Sequence, residues 1–546
     1  MKILFILPRF NKGFGTVYNE NETGIDYDYL MPVGMAYIVA YLKRAGYDVT
    51  ALNLNHVPGR VKEIVQSETA FGKYDVVFTG SISIMYPAVR DIVRYVHEAS
   101  SGTKVVVGGG ILSSNPELMM NLLNPDYGVL FEGEETALDL VRCIEAGGDA
   151  RQVSGIIFGD GETLVRTRPR PAIVDLDALP FPDLDAFGYP EYLQHQELGG
   201  WNQYPRSFPP SPYMIAATRS CPMACTFCFH TTGNKYRQRS IENIMSEVRY
   251  AVEKYKINFF TFLDECFAYD KPRALEFCRQ FREYAETVPW RIEMYCNLRV
   301  DCADGEILDA MKSAGNVVIG LGLESYSQVV LDSMRKHITP KQIKDTLQMI
   351  RDRDLVPQGG FIFGDPAETL ETAHETLEFI RNNPELSRGG LFMGFIIPFP
   401  GTPIYRRALR EGVIKDEVEF IEKLTSTDYN YDNIYNFTSL SDEDFDRLKD
   451  AVFTLKYTFI PTSVPTMCVN SGGQEEIFVD CPHCGHPQAY RTSKHPHEQY
   501  SVGVICNNCN GRFEMATPYM EVGRMAVRLL GFKRMRIIRN KLLWWL

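Results

Sequence analysis

The sequence predicts an α/β protein of several domains: a doubly wound parallel sheet, then a partial (β/α)6 barrel, then a small zinc-ribbon-like module. Apolar strand runs alternate with helical stretches over most of the 546 residues, which is the pattern of parallel sheets. Three cysteines stand at C-x-x-x-C-x-x-C spacing near the middle of the chain, and two C-x-x-C pairs lie near its carboxyl end. The length exceeds one ordinary hydrophobic core, so we expect two to four domains.

The composition is that of a globular protein with an acidic balance. Hydrophobic residues make up 45% and charged residues 23%, and 57 Lys and Arg against 69 Asp and Glu give a net charge of -12. We therefore expect no nucleic-acid partner. Of the 13 cysteines, those outside the clusters are scattered, which favours a reducing compartment, the cytoplasm, over a disulfide framework. We expect neither a signal peptide nor a membrane-spanning helix, which needs roughly 20 apolar residues.

The first predicted domain covers residues 1–150. Its strands are predicted at 3–7, 49–54, 76–80 and 104–108, and its helices at 34–42, 87–99, 116–123 and 136–146. In a parallel doubly wound sheet a ligand binds beyond the carboxyl ends of the strands. The residues in those loops are Thr79, Ser81, Gly108, Gly109, Gly110, Glu132 and Gly133. No G-x-G-x-x-G opens a helix after the first strand, which argues against a dinucleotide.

A proline-rich stretch over residues 151–211 is predicted to be an extended linker. Residues 212–410 then hold six strand-helix units, with strands predicted at 213–218, 258–263, 291–296, 317–322, 357–363 and 392–397. Six such units imply a partial barrel, whose functional residues lie at the carboxyl ends of its strands. The three-cysteine loop follows the first of these strands.

Cys221, Cys225 and Cys228 are predicted to hold a [4Fe-4S] cluster. Their thiolates can converge on three irons and leave the fourth iron open to a substrate. Soft thiolates select iron-sulfur clusters or zinc, and a set of three with no obvious fourth ligand favours the cluster. Phe227 stands immediately before the third cysteine. The alternative is that the three cysteines are incidental residues of a loop.

This loop resembles the cluster motif of radical S-adenosylmethionine (SAM) enzymes, in which the open iron chelates SAM and an electron cleaves it to a 5'-deoxyadenosyl radical. The resemblance implies that the cofactor-binding positions are Phe227, Asp264, Glu265, Asn297, Arg299, Glu324 and Gly364. The ammonium of SAM has only donors and needs an acceptor such as a carboxylate. An arginine fork suits the carboxylate of SAM.

The first domain resembles the cobalamin-binding domain that precedes the radical domain in the largest class of these enzymes. The matching features include Pro32-x-Gly34, the Gly46 turn, and the glycine loops at 108–110 and 133–135. The D-x-H-x-x-G signature is missing, and the nearest histidine, His56, follows the second strand. We therefore expect no protein histidine below the cobalt. The alternative is a domain that has lost its ligand and serves as a scaffold.

The carboxyl-terminal part is predicted to hold a helical extension (411–470), a zinc ribbon (471–520) and a basic amphipathic tail (521–546). The four ribbon cysteines, Cys481, Cys484, Cys506 and Cys509, can place two sulfurs from each knuckle on one zinc ion. A second iron-sulfur centre or plain core cysteines are the alternatives. The tail suits an anionic membrane surface, and its alternative is a closing helix packed on the body.

The resemblance implies a cobalamin-dependent radical SAM methyltransferase that acts on an unactivated carbon through a 5'-deoxyadenosyl radical and methylcobalamin. Its electrons would come from a reductase such as flavodoxin or ferredoxin. One alternative keeps the radical chemistry but catalyses cyclisation, rearrangement or sulfur insertion. Another is a non-catalytic cobalamin or metal sensor. The sequence assigns no general acid or base, and it leaves a small molecule, a lipid and a peptide open as substrate.

Overall fold

The computed structural model of this chain describes residues 1–10, 21, 23–196, 210–426, 431–471, 474–492 and 502–542. The chain divides into two compact units. Unit 1 comprises Met1–His195, Arg219–Asn243 and Pro398–Asn433. Unit 2 comprises Gln196–Thr218, Ile244–Ile397 and Ile434–Leu546.

Unit 1 is built on a seven-stranded sheet of order β2-β1-β3-β4-β5-β6-β7. Its first five strands are parallel and its last two antiparallel. The strands are β1 (Lys2–Leu7), β2 (Asp48–Asn53), β3 (Val76–Gly80), β4 (Lys104–Gly108), β5 (Tyr127–Val129), β6 (Ile156–Asp160) and β7 (Thr163–Arg166). The helices are α1 (Val33–Arg44), α2 (Val61–Gly72), α3 (Tyr86–Ala99), α4 (Gly110–Ser114), α5 (Pro116–Leu123), α6 (Glu134–Glu145) and α7 (Tyr189–Gln194). The predicted parallel sheet of an α/β domain is confirmed for β1–β5, and β6 and β7 extend it with antiparallel strands.

Several elements of unit 1 were not predicted from the sequence. They include α2, α4 and β5, and the stretch assigned to the linker begins with the β6–β7 hairpin and also contains α7. Strand β7 is at most half-buried along its whole length, so it lacks the apolar alternation that marks a strand. The central strands β1, β3 and β4 are apolar runs with almost every residue buried. Such runs are typical of strands covered by helices on both faces.

Unit 2 contains the strands of the partial barrel in two parallel sheets of order β12-β11-β8 and β13-β14-β15-β16. The third predicted strand is split at Cys296 into β12 and β13. In chain order the strands are β8 (Pro212–Ile215), β9 (Thr218–Arg219), β10 (Arg237–Gln238), β11 (Phe259–Phe262), β12 (Glu293–Tyr295), β13 (Asn297–Leu298), β14 (Val318–Glu324), β15 (Val356–Phe363) and β16 (Phe392–Phe395). Of these, β10 and the second residue of β9 belong to unit 1.

Helices follow the barrel strands as predicted. They are α8 (Ile241–Tyr255), α9 (Lys271–Ala285), α10 (Gly305–Ser313), α11 (Gln328–Ser333), α12 (Pro340–Arg351) and α13 (Leu370–Arg381). Four of them, α9, α10, α12 and α13, begin with a side-chain cap. For example, Thr339 and Gln342 form a reciprocal capping box at the start of α12. Helices α14 (Pro403–Arg410) and α15 (Glu417–Ser426) group with unit 1, and α16 (Asp442–Phe459) groups with unit 2.

The carboxyl-terminal part of unit 2 forms two three-stranded sheets of order β18-β19-β20 and β17-β22-β21. The strands are β17 (Thr462–Ser463), β18 (Met467–Ser471), β19 (Gln474–Asp480), β20 (Pro487–Thr492), β21 (Val502–Ile505) and β22 (Arg512–Met515), and helices α17 (Pro518–Leu530) and α18 (Phe532–Leu542) follow. Ile505 packs against Phe259, Val318 and Val356, which are the first residues of three barrel strands. This segment, which the sequence predicts to be a zinc ribbon, therefore contacts the amino ends of those strands.

Among the described helices, none has the length and apolarity that a bilayer crossing requires.

Candidate cofactor sites

The three-cysteine loop lies in unit 1 and is held by its own hydrogen bonds. Cys225 is buried, Cys221 is half-buried and Cys228 is exposed. Ser220 adopts a left-handed conformation with φ of 65°, and its hydroxyl lies 2.9 Å from the hydroxyl of Thr232. These contacts tie the beginning of the loop to its end. The loop therefore presents three thiols of graded exposure, the most exposed being the third.

A buried ion-pair cluster anchors the two ends of this loop to the first domain. Arg219 donates to Glu132 Oε1 at 2.6 Å and also pairs with Glu134. Arg237 pairs with Glu132 Oε2 at 2.7 Å and donates to the carbonyl oxygen of Ile173 at the same distance. Burial would lower the pKa of Arg219, but the two glutamates outweigh it and raise that pKa. Glu132, predicted as a cofactor contact, thus bridges two arginines.

The start of α14 and the residues just before it also contact this loop. The backbone N–H of Ile404 donates to the carbonyl oxygen of Thr226 at 3.1 Å. A Cβ at Gly401 would lie 2.7 Å from the ring of Phe229, so only glycine permits this approach. Phe227 is half-buried within the same loop.

The carboxyl edge of the unit 1 sheet is lined by backbone and two exposed apolar side chains. Gly109 has φ of 85°, and a Cβ there would lie 2.8 Å from the carbonyl oxygen of Ser81. Along the same edge, the side chain of Ile82 is 44% exposed and that of Phe131 is 43% exposed. A backbone surface with flanking apolar side chains suits a large flat ligand, because glycine lets the backbone approach it closely. The predicted residues Ser81 and Gly108–Gly110 lie along this edge.

The other predicted residues of unit 1 lie beside this edge in structural roles. The Thr79 hydroxyl donates to the carbonyl oxygen of Ile6 at 3.0 Å. Gly133 caps α6, and a Cβ there would lie 2.5 Å from the side chain of Ile38. His56 Nε2 lies 2.7 Å from the Tyr29 hydroxyl, and burial lowers the pKa of His56 to about 4. The prediction that no histidine faces the cobalt stays a prediction.

In unit 2, the first predicted SAM-binding residues follow β11. Asp264 is buried and accepts a hydrogen bond from the Thr218 hydroxyl, whereas Glu265 is exposed. Asn297, in β13, is exposed, and its Oδ1 accepts a hydrogen bond from the Tyr295 hydroxyl at 2.9 Å. Asp264 and Glu265 follow the carboxyl end of β11, as the barrel prediction requires, whereas Asn297 begins the short strand β13 two residues after β12 ends.

Glu324, the last residue of β14, is held in an unusual position. Its φ is 62°. This left-handed region is unfavourable for most residues other than glycine, Asn and Asp. Its Oε1 accepts a hydrogen bond from Lys336 Nζ at 2.6 Å, and both side chains are nearly buried. The strand register also shifts between Gly322 and Glu324, so the regular strand pairing is interrupted at this carboxylate. Backbone strain that persists at one carboxylate is typical of a functional position.

The guanidinium group of Arg299 already donates hydrogen bonds within the protein. Its Nε and Nη2 donate to the two carboxylate oxygens of Asp301 at 2.9 and 3.0 Å, and Nη2 also donates to the carbonyl oxygen of Lys336 at 2.8 Å. Arg299 therefore fixes the backbone of the lysine that pairs with Glu324. Its predicted contact with the SAM carboxylate stays a prediction.

Gly364 directly follows β15 and has φ of 89°. Its backbone N–H donates to Glu368 Oε2 at 2.6 Å. Glu368 and the neighbouring Asp365 are both 1% exposed. Burial raises the pKa of Glu368 to about 8, with the charge of Asp365 adding to the effect. Glu368 thus orients the Gly364 turn.

The four carboxyl-terminal cysteines converge on one point. Cys481 Sγ lies 3.8 Å from Cys509 Sγ, and Cys484 Sγ lies 3.7 Å from Cys506 Sγ. All four sulfurs lie within 4.8 Å of one another. The backbone N–H groups of His483 and Asn508 each donate to a sulfur, of Cys481 and Cys506 respectively, at 3.4 Å. The two knuckles therefore have the same local geometry.

Several residues of these sites were not predicted from the sequence. They are Lys336, Glu368, Arg219, Arg237 and Phe131. Lys336 follows the predicted residue Glu324 by 12 positions and lies in no recognisable motif. Glu368 follows Gly364 by four positions, within the segment 359–369 that resembles the family's fifth-strand loop, but it was given no role of its own. The two arginines flank the three-cysteine loop, and their separation from Glu132 by 87 and 105 positions hides the pairing.

Comparison with known families gives two matches in the order that the sequence predicts. Residues 27–141 match the B12 binding domain. Residues 215–380 match the Radical SAM superfamily. The first range contains the glycine-lined sheet edge, and the second contains the three-cysteine loop and the predicted SAM-binding residues of unit 2.

Curated relatives span most of the chain at low identity. An uncharacterized methyltransferase of Pyrococcus horikoshii is 26% identical over 422 residues, covering 76% of this chain and 84% of that protein. The anaerobic magnesium-protoporphyrin IX monomethyl ester cyclase of Cereibacter sphaeroides is 26% identical over 442 residues, covering 77% of this chain and 65% of that protein.

Two solved structures share the fold. The radical SAM methyltransferase TsrM from Kitasatospora setae superposes with a TM-score of 0.60 at 17% identity, covering 76% of this chain and 77% of that chain. The cobalamin-dependent SAM radical enzyme OxsB superposes with a TM-score of 0.58 at 18% identity. The superposition covers 77% of this chain and 56% of that chain. At these identities the likeness concerns architecture, and function must be argued from the residues.

Proposed function

We propose that this chain, a radical SAM enzyme that also carries a B12 binding domain, is a cobalamin-dependent methyltransferase acting on an unactivated carbon. The observation that supports this most is in unit 1, where Glu132 ties both ends of the three-thiol loop to the domain with the glycine-lined edge. An enzyme that uses two reactive cofactors on one substrate needs them on a common rigid support. The methyltransferase names of several relatives support the same proposal.

The residues present fit the proposed cofactors. Cys221, Cys225 and Cys228 would ligate three irons of a [4Fe-4S] cluster, and the backbone edge around Gly109 would receive the corrin. When bound, the cluster supplies the electron that splits SAM into methionine and a 5'-deoxyadenosyl radical, and cobalamin carries the transferred methyl group. We also propose a small one-electron donor of the flavodoxin or ferredoxin class as partner.

The protein's own side chains would bind and orient SAM. Asp264 and Glu324 offer carboxylates, the groups that a SAM ammonium needs as acceptors. Lys336 neutralises Glu324 and holds its side chain, while Arg299 holds the backbone of Lys336. The turn at Gly364, fixed by Glu368, would leave backbone open beside the adenine.

Isotope transfer tests the methylation proposal. Protein reconstituted without oxygen is incubated with a one-electron reductant, SAM labelled with 13C in the methyl group, and an extract of the source organism. We expect 5'-deoxyadenosine and a product that carries the label on carbon. The Cys225→Ala variant, which lacks one cluster ligand, should yield neither. Formation of 5'-deoxyadenosine without label in any product would contradict methylation.

A second candidate function is radical cyclisation without methyl transfer. The similarity to the Cereibacter sphaeroides cyclase over 77% of this chain favours it. It predicts 5'-deoxyadenosine without transfer of label, so the same experiment separates the two candidates. A non-catalytic sensor would form no 5'-deoxyadenosine at all.

We further propose that the four carboxyl-terminal cysteines hold a structural zinc ion. A tetrahedral site with zinc-sulfur bonds of about 2.3 Å requires sulfurs about 3.8 Å apart, and the closest pairs lie at 3.7 and 3.8 Å. A cubane cluster would need its thiolates further apart. Metal analysis should find one zinc per chain, absent in Cys506→Ser and retained in the control Cys143→Ser. Iron at this site would contradict the proposal.

A further inference from the structure

Helix α17 has one face attached to the body of unit 2. On this face Val527 is buried, and Arg524 donates to the carbonyl oxygen of Ile460. Arg528 donates to the carbonyl oxygen of Thr458 at 3.1 Å. Phe532, at the start of α18, stacks on Tyr457 with ring centroids 4.8 Å apart. The attachment to α16 therefore uses one side of α17 and the beginning of α18.

The opposite face of α17 is an exposed apolar stripe. Tyr519, Val522, Met525 and Leu529 are 75%, 66%, 58% and 84% exposed. Their spacing of three, three and four positions places them along one side of the helix. Scattered apolar residues are common on protein surfaces, but four large ones in a continuous row mark an interaction surface. Ile537 and Ile538 of α18 are also exposed, at 48% and 40%.

The charge of this segment is opposite to that of the whole chain. Residues 518–542 contain seven Lys and Arg and a single acid, Glu521, whereas the chain has a net charge of -12. Arg534 is exposed beside the two isoleucines of α18. Lys533 is also exposed but pairs with Asp446 of α16. The sequence continues with Leu543, Trp544, Trp545 and Leu546, which lie outside the described residues. Tryptophan is enriched at the interface between water and lipid.

We infer that α17 and α18 dock on the surface of an anionic lipid bilayer. The tail surface, defined as Tyr519, Val522, Met525, Leu529, Ile537 and Ile538, would enter the headgroup region while the exposed Arg534 contacts a lipid phosphate. This combination of an apolar stripe and local positive charge is what binds a helix in the plane of an interface. A second copy of the chain fits less well, because a twofold contact would bring two like-charged segments together.

Vesicle sedimentation tests this inference on the full-length protein. We expect binding to vesicles containing phosphatidylglycerol, weak binding to pure phosphatidylcholine vesicles, and loss of binding as salt rises. The double variant Val522→Asn, Leu529→Asn should bind about tenfold more weakly, because less apolar surface enters the lipid. The control Phe71→Asn, Val174→Asn removes equally exposed apolar side chains of unit 1 and should bind like the wild type.

Three outcomes would overturn the inference. One is equal binding to both kinds of vesicle, and another is equal binding by the two double variants. The third is a wild-type protein that does not bind vesicles and sediments as a dimer, while the Val522→Asn, Leu529→Asn variant sediments as a monomer. That result would assign the tail surface to a second copy of the chain. Vesicle binding requires neither the cluster nor cobalamin, so its failure is distinguishable from a failure of the proposed reaction. Circular dichroism checks that each variant is folded.

Discussion

Glu368 shows how one buried carboxyl can make stability depend on pH. Its pKa is raised from 4.5 to about 8 in the folded chain, so the folded state binds an extra proton between these values. The contribution of the Glu368 proton to the free energy of unfolding is therefore fully present below pH 4.5. It falls by up to about 1.4 kcal/mol per pH unit as the pH rises from 4.5 through 8.

Replacing Glu368 by Gln should remove most of this slope, because the amide keeps the shape without the titration. Chemical denaturation between pH 5 and 9 measures the free energy of unfolding of both proteins. The exposed substitution Glu371→Gln serves as control and should retain the wild-type slope. Parallel curves for wild type and Glu368→Gln would show that another group dominates.

Lys336 is predicted to matter for SAM binding through Glu324. The Lys336→Met variant leaves the Glu324 carboxylate nearly buried without its cation, which costs about 3 kcal/mol for a buried pair. We expect SAM to bind about tenfold more weakly to the reconstituted variant, measured by calorimetry. Lys341→Met breaks an exposed pair with Asp345 and should behave as the wild type does. Equal affinities for the two variants would assign Lys336 a purely structural role.

At the scale of elements, Glu132 joins the two ends of the three-cysteine loop to the first domain. Glu132→Gln leaves Arg219 and Arg237 buried with less than their full counter-charge and should destabilise the chain by about 3 kcal/mol. The loop should also retain less iron after reconstitution, measured by absorbance and iron analysis. Glu135→Gln, at a nearly half-exposed position of the same helix region, is the matched control and should shift stability by less than about 0.5 kcal/mol.

The contact between ribbon and barrel also belongs to this scale. Ile505 is 8% exposed against the amino ends of the barrel strands, so Ile505→Ala should cost about 3 kcal/mol. Val329→Ala, at a position 59% exposed, should cost almost nothing. Hydrogen exchange would locate the effect. Faster exchange in 259–262, 318–321 and 356–359 is expected, and faster exchange confined to the ribbon would show that the ribbon does not support the barrel.

At the scale of the whole molecule, chain order and packing differ. The sequence places the three-cysteine loop inside the barrel segment, but residues 219–243 and 398–433 group with the first domain in unit 1. A fragment of residues 1–195 would therefore lack the arginines that neutralise Glu132 and Glu134. We expect this fragment to be less stable than unit 1 of the full chain, measured by hydrogen exchange of β1, β3 and β4. Equal protection would show that the first domain is independent of those segments.

The sequence by itself determined the order of the parts. The apolar runs of β1, β3 and β4 and the six barrel strands were predictable because burial on both faces leaves a local signal. The three-cysteine loop and the two C-x-x-C pairs were predictable because cysteine spacing fixes how sulfurs can converge. The half-exposed β7 and the unpredicted α2 lacked so clear a pattern. The split of the third barrel strand at Cys296 had no local signal either.

Only the tertiary structure decided which charges meet. The pairing of Glu132 with Arg219 and Arg237 spans 87 and 105 positions, and the fork of Arg299 closes on Asp301 instead of remaining open. The exposed stripe of α17 likewise became visible once the packed face of that helix was known. Local patterns specify elements because their causes are local, whereas ion pairs and exposed faces depend on which elements lie side by side.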